Sequence, residues 1–105
     1  MNIQRKIIMV TGSNGTLGSN IVSTFKNKNK IIALDKSLSK KKYKNVFYSK
    51  CDLNNRHSRN KEIHKIKKKF KKIDIIINCA GHTSNSFKDS NIKLQNPKIW
   101  DHFIE

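Results

Sequence analysis

The residues best suited to chemistry form a glycine-rich turn, Thr11–Gly18, with the sequence Thr-Gly-Ser-Asn-Gly-Thr-Leu-Gly. An apolar run precedes the turn and an amphipathic stretch follows it, which predicts a strand, a turn and then a helix. In this setting Gly12 can take a positive φ, Gly15 leaves room for a phosphate, and Gly18 lets the helix lie close to the strand. The first-turn amides of such a helix attract anions. Glycine spacing also fits an ordinary strand-to-helix connection, but the flanking patterns favour a site for the pyrophosphate of a dinucleotide.

Asp35 follows the next apolar run, 30–34, roughly 20 residues after the turn, where a dinucleotide-binding fold places an acidic residue. A carboxylate there can accept hydrogen bonds from both hydroxyls of the adenosine ribose, and it repels a 2′-phosphate. This favours NAD as the cofactor, while NADP stays open because Lys36 would soften the preference. The alternative role for Asp35 is a solvated carboxylate at a strand end.

The ends of two further predicted strands carry candidate binding residues. Asp52 could accept a hydrogen bond from the adenine amino group, with Leu53 against the ring; otherwise Asp52 serves as a helix N-cap or a turn residue. After the fourth strand, Asn78 is suited to tie strand ends together. Small residues follow it where a backbone could pass beneath a cofactor: Cys79, Ala80 and Gly81. A plain turn is the alternative for this segment.

The hydrophobic pattern alternates between strands and helices along the chain. We predict strands at 6–10, 30–34, 45–50 and 74–78, helices at 16–28 and 58–72, a polar loop at 82–95, and a helix beginning at Asn96-Pro97. Three consecutive isoleucines in the fourth strand indicate burial on both faces, as inside a parallel sheet. With right-handed crossovers, the pattern gives one α/β domain, 1–105, with a Rossmann-like three-layer fold and a partial parallel sheet of strand order 3-2-1-4. The ligand crevice then lies at the carboxyl ends of the first and fourth strands.

The chain carries 23 lysine and arginine residues against 7 aspartate and glutamate residues, a formal net charge of +16. Such a charge attracts nucleic acid. However, the lysines are scattered over all surface segments and only three arginines are present, which argues against a specific nucleic-acid site. We expect nonspecific binding of polyanions at low salt.

The remaining composition points to a reduced, cytoplasmic protein. There are two cysteines and no signal peptide, and every apolar run is far shorter than the ~20 residues that span a bilayer. The four histidines show no ligand spacing with the cysteines, so no zinc site is predicted.

Taken together, these motifs resemble those of the short-chain dehydrogenase/reductase family. Its members carry a Thr-Gly-rich turn, an acidic residue after the second strand, Asp-Leu after the third and Asn-Asn-Ala-Gly after the fourth. The resemblance implies NAD(P)-dependent hydride transfer between nicotinamide and a carbonyl or alcohol. It also implies that the pyrophosphate binds to Thr11, Gly12, Asn14, Gly15, Thr16, Leu17 and Gly18, the ribose to Asp35, the adenine to Asp52 and Leu53, and that the nicotinamide-side ribose lies against Asn78, Cys79, Ala80 and Gly81.

One departure from the family pattern concerns its catalytic Tyr-x₃-Lys pair. The residue four positions after Tyr43 is Phe47, and the residue four positions after Tyr48 is Asp52. We therefore expect a cofactor-binding half that is truncated before the fifth strand, inactive alone, and left with an open edge on the fourth strand. Its protein partner would be a separately encoded C-terminal half or a second copy. The alternatives are a non-catalytic NAD-binding sensor module and, third, a basic nucleic-acid-binding protein.

Overall fold

The computed structural model describes residues 2–39 and 41–79, together with the backbone of residues 93–95. Along the chain the elements are β1 (Ile7–Thr11), α1 (Thr16–Phe25), β2 (Lys30–Asp35), β3 (Val46–Lys50), α2 (Arg56–Lys69), β4 (Ile75–Asn78) and β5 (Lys93–Gln95). The candidate residues Ala80 and Gly81, and the helix predicted from Asn96, lie outside the described residues. In the part of the chain that is described, no helix combines the length and apolarity needed to cross a bilayer.

The first four strands form the predicted parallel sheet. β1 lies at its centre, with β2 and then β3 on one side and β4 on the other, which confirms the Rossmann-like order 3-2-1-4. In the β1 register, Thr11 pairs with Leu34 of β2 and with Asn78 of β4. The carboxyl ends of the three strands therefore reach the same edge of the sheet.

β5 corrects two of the sequence predictions. It pairs antiparallel with β4, with Ile77 opposite Leu94, so residues 93–95 are not loop and the outer edge of β4 is not open. The physical reason is that the backbone N–H and C=O groups on an edge strand need partners, and a nearby segment can supply them. A three-residue strand inside a polar stretch is too short to show an alternating pattern.

Both faces of the sheet are buried, as the uninterrupted apolar strands predict. On one face Ile8, Val10 and Ile31 pack with Ile21 and Val22 of α1. The opposite face packs against α2 through a separate cluster, Met9, Ile32, Leu34, Cys51, Ile63, Ile66 and Ile76. The two helices thus lie on opposite faces, which is the predicted three-layer arrangement.

The helices differ from their predicted bounds at their ends. α1 ends at Phe25, where the Phe25 carbonyl accepts a hydrogen bond from the Asn29 side chain at 3.0 Å. α2 begins at Arg56, two residues early, because the side chain of Asn55 caps it. Its last turn carries Lys67, Lys68 and Lys69, whose charges suit the negative end of the helix dipole.

Candidate functional site

The turn between β1 and α1 needs glycine at two positions for reasons internal to the fold. Gly12 has a φ of 67°, a conformation that other residues rarely adopt. A Cβ at Gly18 would lie 2.1 Å from the backbone oxygen of Gly12, so only glycine lets α1 pack this close to the turn. These are the two structural roles that the spacing predicts.

Gly15 has no such requirement. Its backbone is extended, with φ −75° and ψ 172°, and a Cβ there would lie 3.4 Å from the Gly12 oxygen, an ordinary contact. Gly15 is also the N-cap of α1, and it offers no side chain to bind the first-turn amides. Those amides have no acceptor within the helix. The N-terminus of α1 therefore presents its first-turn amides at the turn without a side-chain cap.

Asp35, at the end of β2, accepts hydrogen bonds from three backbone amides. Its Oδ2 accepts a hydrogen bond from the Asn14 amide at 2.9 Å, and its Oδ1 accepts one from the Ser37 amide at 3.0 Å. Its backbone oxygen accepts a bond from the Cys51 amide at 2.9 Å. The carboxylate thus faces the glycine-rich turn, and the residue as a whole joins that turn to the end of β3.

The connection between β3 and α2 is closed by its own side chains. Asp52 Oδ1 accepts a hydrogen bond from the Asn54 amide at 3.0 Å, while the Asn55 side chain accepts one from the Ser58 amide at 2.9 Å. The Asp52 amide donates to Ser58 Oγ at 3.1 Å. Of the two structural alternatives for Asp52, the turn role is present and the N-cap role belongs to Asn55.

Thr11 and Asn78 fasten β1 to β4 at the edge of the site. The Thr11 hydroxyl donates to Asn78 Oδ1 at 2.6 Å, and Thr11 Oγ1 accepts a bond from the Cys79 amide at 3.1 Å. Thr11 is fully buried. Thr11 therefore lies beneath the site as a support, and Asn78 ties the strand ends together as predicted.

These connections surround one cleft of about 410 Å³ at the carboxyl edge of the sheet. Its lining comes from the glycine-rich turn and from the ends of β2, β3 and β4: Gly12, Gly15, Leu34, Asp35, Lys36, Cys51, Asp52, Leu53, Asn54, Asn78 and Cys79. Its position is the crevice that the strand order predicts.

The sequence profile of the family described as short chain dehydrogenase matches residues 6–105. The chain belongs to this family. A search of curated proteins finds no match.

Solved structures of other proteins share the fold of this chain. A Leptospira borgpetersenii short chain dehydrogenase with bound NAD+ is 24% identical with a TM-score of 0.68, over 83% of this chain and 39% of that one. A Brucella melitensis 3-ketoacyl-(acyl-carrier-protein) reductase complexed with NADH is 17% identical with a TM-score of 0.62, over 71% and 34%. Uronate dehydrogenase from Agrobacterium tumefaciens is 21% identical with a TM-score of 0.59, over 77% and 28%. The chain thus spans well under half the length of these proteins.

The cleft brings together seven of the candidate residues: Gly12, Gly15, Asp35, Asp52, Leu53, Asn78 and Cys79. It does not include Thr11, Asn14, Thr16, Leu17 or Gly18 in its lining. Leu34, Cys51 and Asn54 line the cleft but were not among the candidates. Each is the chain neighbour of a predicted residue, so counting one position either side of each predicted residue would have found them.

The two cysteines are neutral members of the lining. Burial raises the pKa of the Cys51 thiol and of the Cys79 thiol above their usual value, so neither is activated as a thiolate. Nor does any group of three or more His, Cys, Asp or Glu side chains in the described ranges have the arrangement of a metal site.

Proposed function

We propose that this chain binds NAD in the cleft, as the cofactor-binding part of an oxidoreductase. The observation that carries the proposal is Gly15, a glycine that the fold does not need, placed where α1 leaves its first amides uncapped. An anion held there would accept hydrogen bonds from those amides and would occupy the space that a Cβ of residue 15 would fill. The NAD+ and NADH recorded in the Leptospira and Brucella proteins support the choice of ligand.

The rest of the cleft fits the remainder of a dinucleotide. Asp35 would accept hydrogen bonds from the adenosine ribose, and Asp52 with Leu53 would contact the adenine. Pyrophosphate would lie against the turn, between Gly12 and the first turn of α1. On the β4 side, Asn78 and Cys79 would form the wall for the second ribose, continued by Ala80 and Gly81.

Two adjacent cleft residues would decide between NAD and NADP. The Asp35 carboxylate repels a 2′-phosphate, whereas the Lys36 ammonium attracts one. We expect Asp35 to dominate, because two backbone amides fix its carboxylate at the cleft, whereas a lysine stem loses rotamer entropy when it is ordered.

Reduction of a carbonyl by hydride transfer also needs a proton donor, and neither tyrosine of the described residues lines the cleft. A bound nicotinamide would supply the hydride acceptor or donor. The two tyrosines pack against the hydrophobic core on the α1 side of the sheet. There the Tyr48 hydroxyl accepts a hydrogen bond from the Tyr43 amide at 2.8 Å. We therefore expect the 105-residue chain to bind cofactor without reducing a carbonyl unless a C-terminal half or a second copy completes the site. A non-catalytic NAD-binding module is the second candidate.

The test is calorimetric titration of the purified chain with NAD+ and NADP+, at about 150 mM salt so that the net positive charge is screened. We expect saturable binding with NAD+ tighter than NADP+, and we expect Asp35→Ser to bring the two affinities closer together. Absence of binding would contradict the proposal. Carbonyl-dependent oxidation of NADH by this chain alone would contradict the expected inactivity, and binding without turnover after addition of a C-terminal half would favour the sensor module.

A further inference from the structure

Asp35 makes a contact that ribose recognition does not require. Its Oδ2 lies 2.9 Å from the Asn14 amide, in the middle of the glycine-rich turn. The other carboxylate oxygen is held by the Ser37 amide at 3.0 Å, which fixes the direction in which Oδ2 points. The acceptor for Asn14 is therefore itself anchored before any ligand arrives.

Two backbone hydrogen bonds lie on either side of Asn14 in the turn, and neither involves the Asn14 amide. The Ser13 amide donates to the Leu34 oxygen at 3.0 Å, and the Gly15 amide donates to the Gly12 oxygen at 3.1 Å. Asn14 lies between these two bonds and directly before Gly15, the N-cap of α1. The position of the Asn14 amide thus sets the path by which the chain enters the helix.

We infer that Asp35 is a positioning residue for pyrophosphate, because it holds the turn in the shape that presents the first-turn amides of α1. This inference rests on the proposed NAD site and deepens it. The same carboxylate would then have two roles: it positions the neighbouring phosphate site, and it accepts hydrogen bonds from the ribose.

Electrostatics and positioning predict opposite effects for a probe without ribose. A carboxylate beside the turn repels pyrophosphate, so removing its charge should strengthen binding if charge is all that matters. If the Asn14 bond matters more, removing the acceptor should weaken binding even though a negative charge is lost. The sign of the change therefore separates the two roles.

The experiment uses inorganic pyrophosphate and NAD+ as probes of the wild-type chain and of Asp35→Asn, followed by NMR. Asparagine keeps the volume, but it can offer an acceptor to only one of the two amides that the carboxylate serves. We expect Asp35→Asn to bind pyrophosphate about three- to tenfold more weakly than wild type. In the ligand-free variant we also expect faster hydrogen exchange at the Asn14 amide.

Asp74→Asn is the matched control, because it removes the same charge and the same kind of bond. Asp74 Oδ2 accepts from the Ile7 amide at 2.8 Å, at the amino ends of the strands and away from the cleft. We expect its pyrophosphate affinity to stay within about twofold of wild type.

Unchanged or tighter pyrophosphate binding in Asp35→Asn would overturn the inference, as would unchanged exchange at the Asn14 amide. If the wild-type chain binds neither pyrophosphate nor NAD+, the proposed function fails. The exchange measurement still decides, in that case, whether Asp35 holds the turn.

Discussion

The two strand-to-helix junctions that border the cleft are built in opposite ways. At the β3–α2 junction, Asn55 caps the helix through its side chain and Ser58 accepts a bond from the Asp52 amide. At the β1–α1 junction the N-cap is Gly15, without a side chain to bind the first-turn amides. At the β3–α2 junction a side chain caps the helix, whereas at the β1–α1 junction the first-turn amides remain available to the proposed ligand.

The difference shows that the N-terminal amides of a helix can either stabilise the helix through a cap or remain available to a ligand. Capping by Ser, Thr, Asp or Asn is worth about 1 kcal/mol relative to alanine but only about 0.5 kcal/mol or less relative to glycine, so the glycine cap costs α1 little stability. α1 instead depends on close packing at Gly18 and on its buried face, Ile21 and Val22. A helix held mainly by packing can keep its N-terminus free for an anion.

Gly18→Ala, in the third position of α1, should have the largest effect on stability. The new Cβ would lie 2.1 Å from the Gly12 oxygen and 2.8 Å from the Gly12 carbonyl carbon, both backbone atoms that cannot rotate away. We expect a loss of about 3 kcal/mol or more in the free energy of unfolding, measured by urea denaturation.

The matched variant in α2 is Ser58→Ala, also at the third helical position. It loses the hydrogen bond from the Asp52 amide, so we expect a cost of about 1 kcal/mol. If Gly18→Ala were the milder of the two substitutions, close packing would not be what holds α1.

Gly15→Ser would convert the open junction into a closed one. The backbone at Gly15, φ −75° and ψ 172°, suits serine, and its hydroxyl can cap α1 as Asn55 caps α2. We expect stability to stay constant or to rise by up to about 0.5 kcal/mol, while NAD+ binds at least about tenfold more weakly. Urea denaturation and calorimetry on the same samples give the two numbers.

Retained NAD+ affinity in a stabilised Gly15→Ser variant would show that the α1 amides do not bind the ligand. Asn55→Ser is its control, since it exchanges one good cap for another in α2. Its affinity for NAD+ should match that of wild type.

Asn55→Ala opens the closed junction without touching the proposed anion site. The Ser58 amide would lose its acceptor, at a cost of about 1 kcal/mol in the free energy of unfolding. NAD+ affinity should stay within about twofold of wild type, because Asn55 is not among the residues that line the cleft. If the free energy of NAD+ binding fell by more than the free energy of unfolding, the ligand would lie nearer to α2 than we propose.

The sequence predicted the open junction better than the closed one. Gly12 and Gly18 are required by a positive φ and by a close approach, two constraints that few residues other than glycine satisfy, so their spacing carries structural information. The capping of α2 rests on Asn55, in a polar stretch where several residues could cap, and so the start of that helix was placed two residues late.

Other features depend on tertiary contacts that no local pattern encodes. The bond between Asp35 and the Asn14 amide joins residues 21 positions apart and forms only once β1 and β2 are paired. β5 depends on the need of β4 for backbone partners, and its three residues carry no recognisable period. The strand order was predictable because handedness leaves few arrangements for alternating strands and helices.

The smallest effect that we expect is a change in the acid sensitivity of the free energy of unfolding, caused by a carboxylate far from both junctions. Asp74 joins the amino ends of β1 and β4, since its Oδ2 accepts a bond from the Ile7 amide at 2.8 Å and Lys72 Nζ lies 3.6 Å from Oδ1. The bond from the Ile7 amide lowers the pKa of Asp74 below its ordinary value of 3.8, with help from Lys72. Its stabilising contribution is therefore complete above that ordinary value and is lost as the pH falls through the lowered pKa.

We expect Asp74→Asn to cost less than about 1 kcal/mol at neutral pH and to flatten the dependence of stability on pH as the pH falls below the ordinary value of 3.8. Urea denaturation at several pH values measures both effects. NAD+ affinity at neutral pH should not change, because Asp74 lies at the opposite end of the strands from both junctions. Equal acid sensitivity in the variant and the wild type would mean that carboxylates other than Asp74 control it.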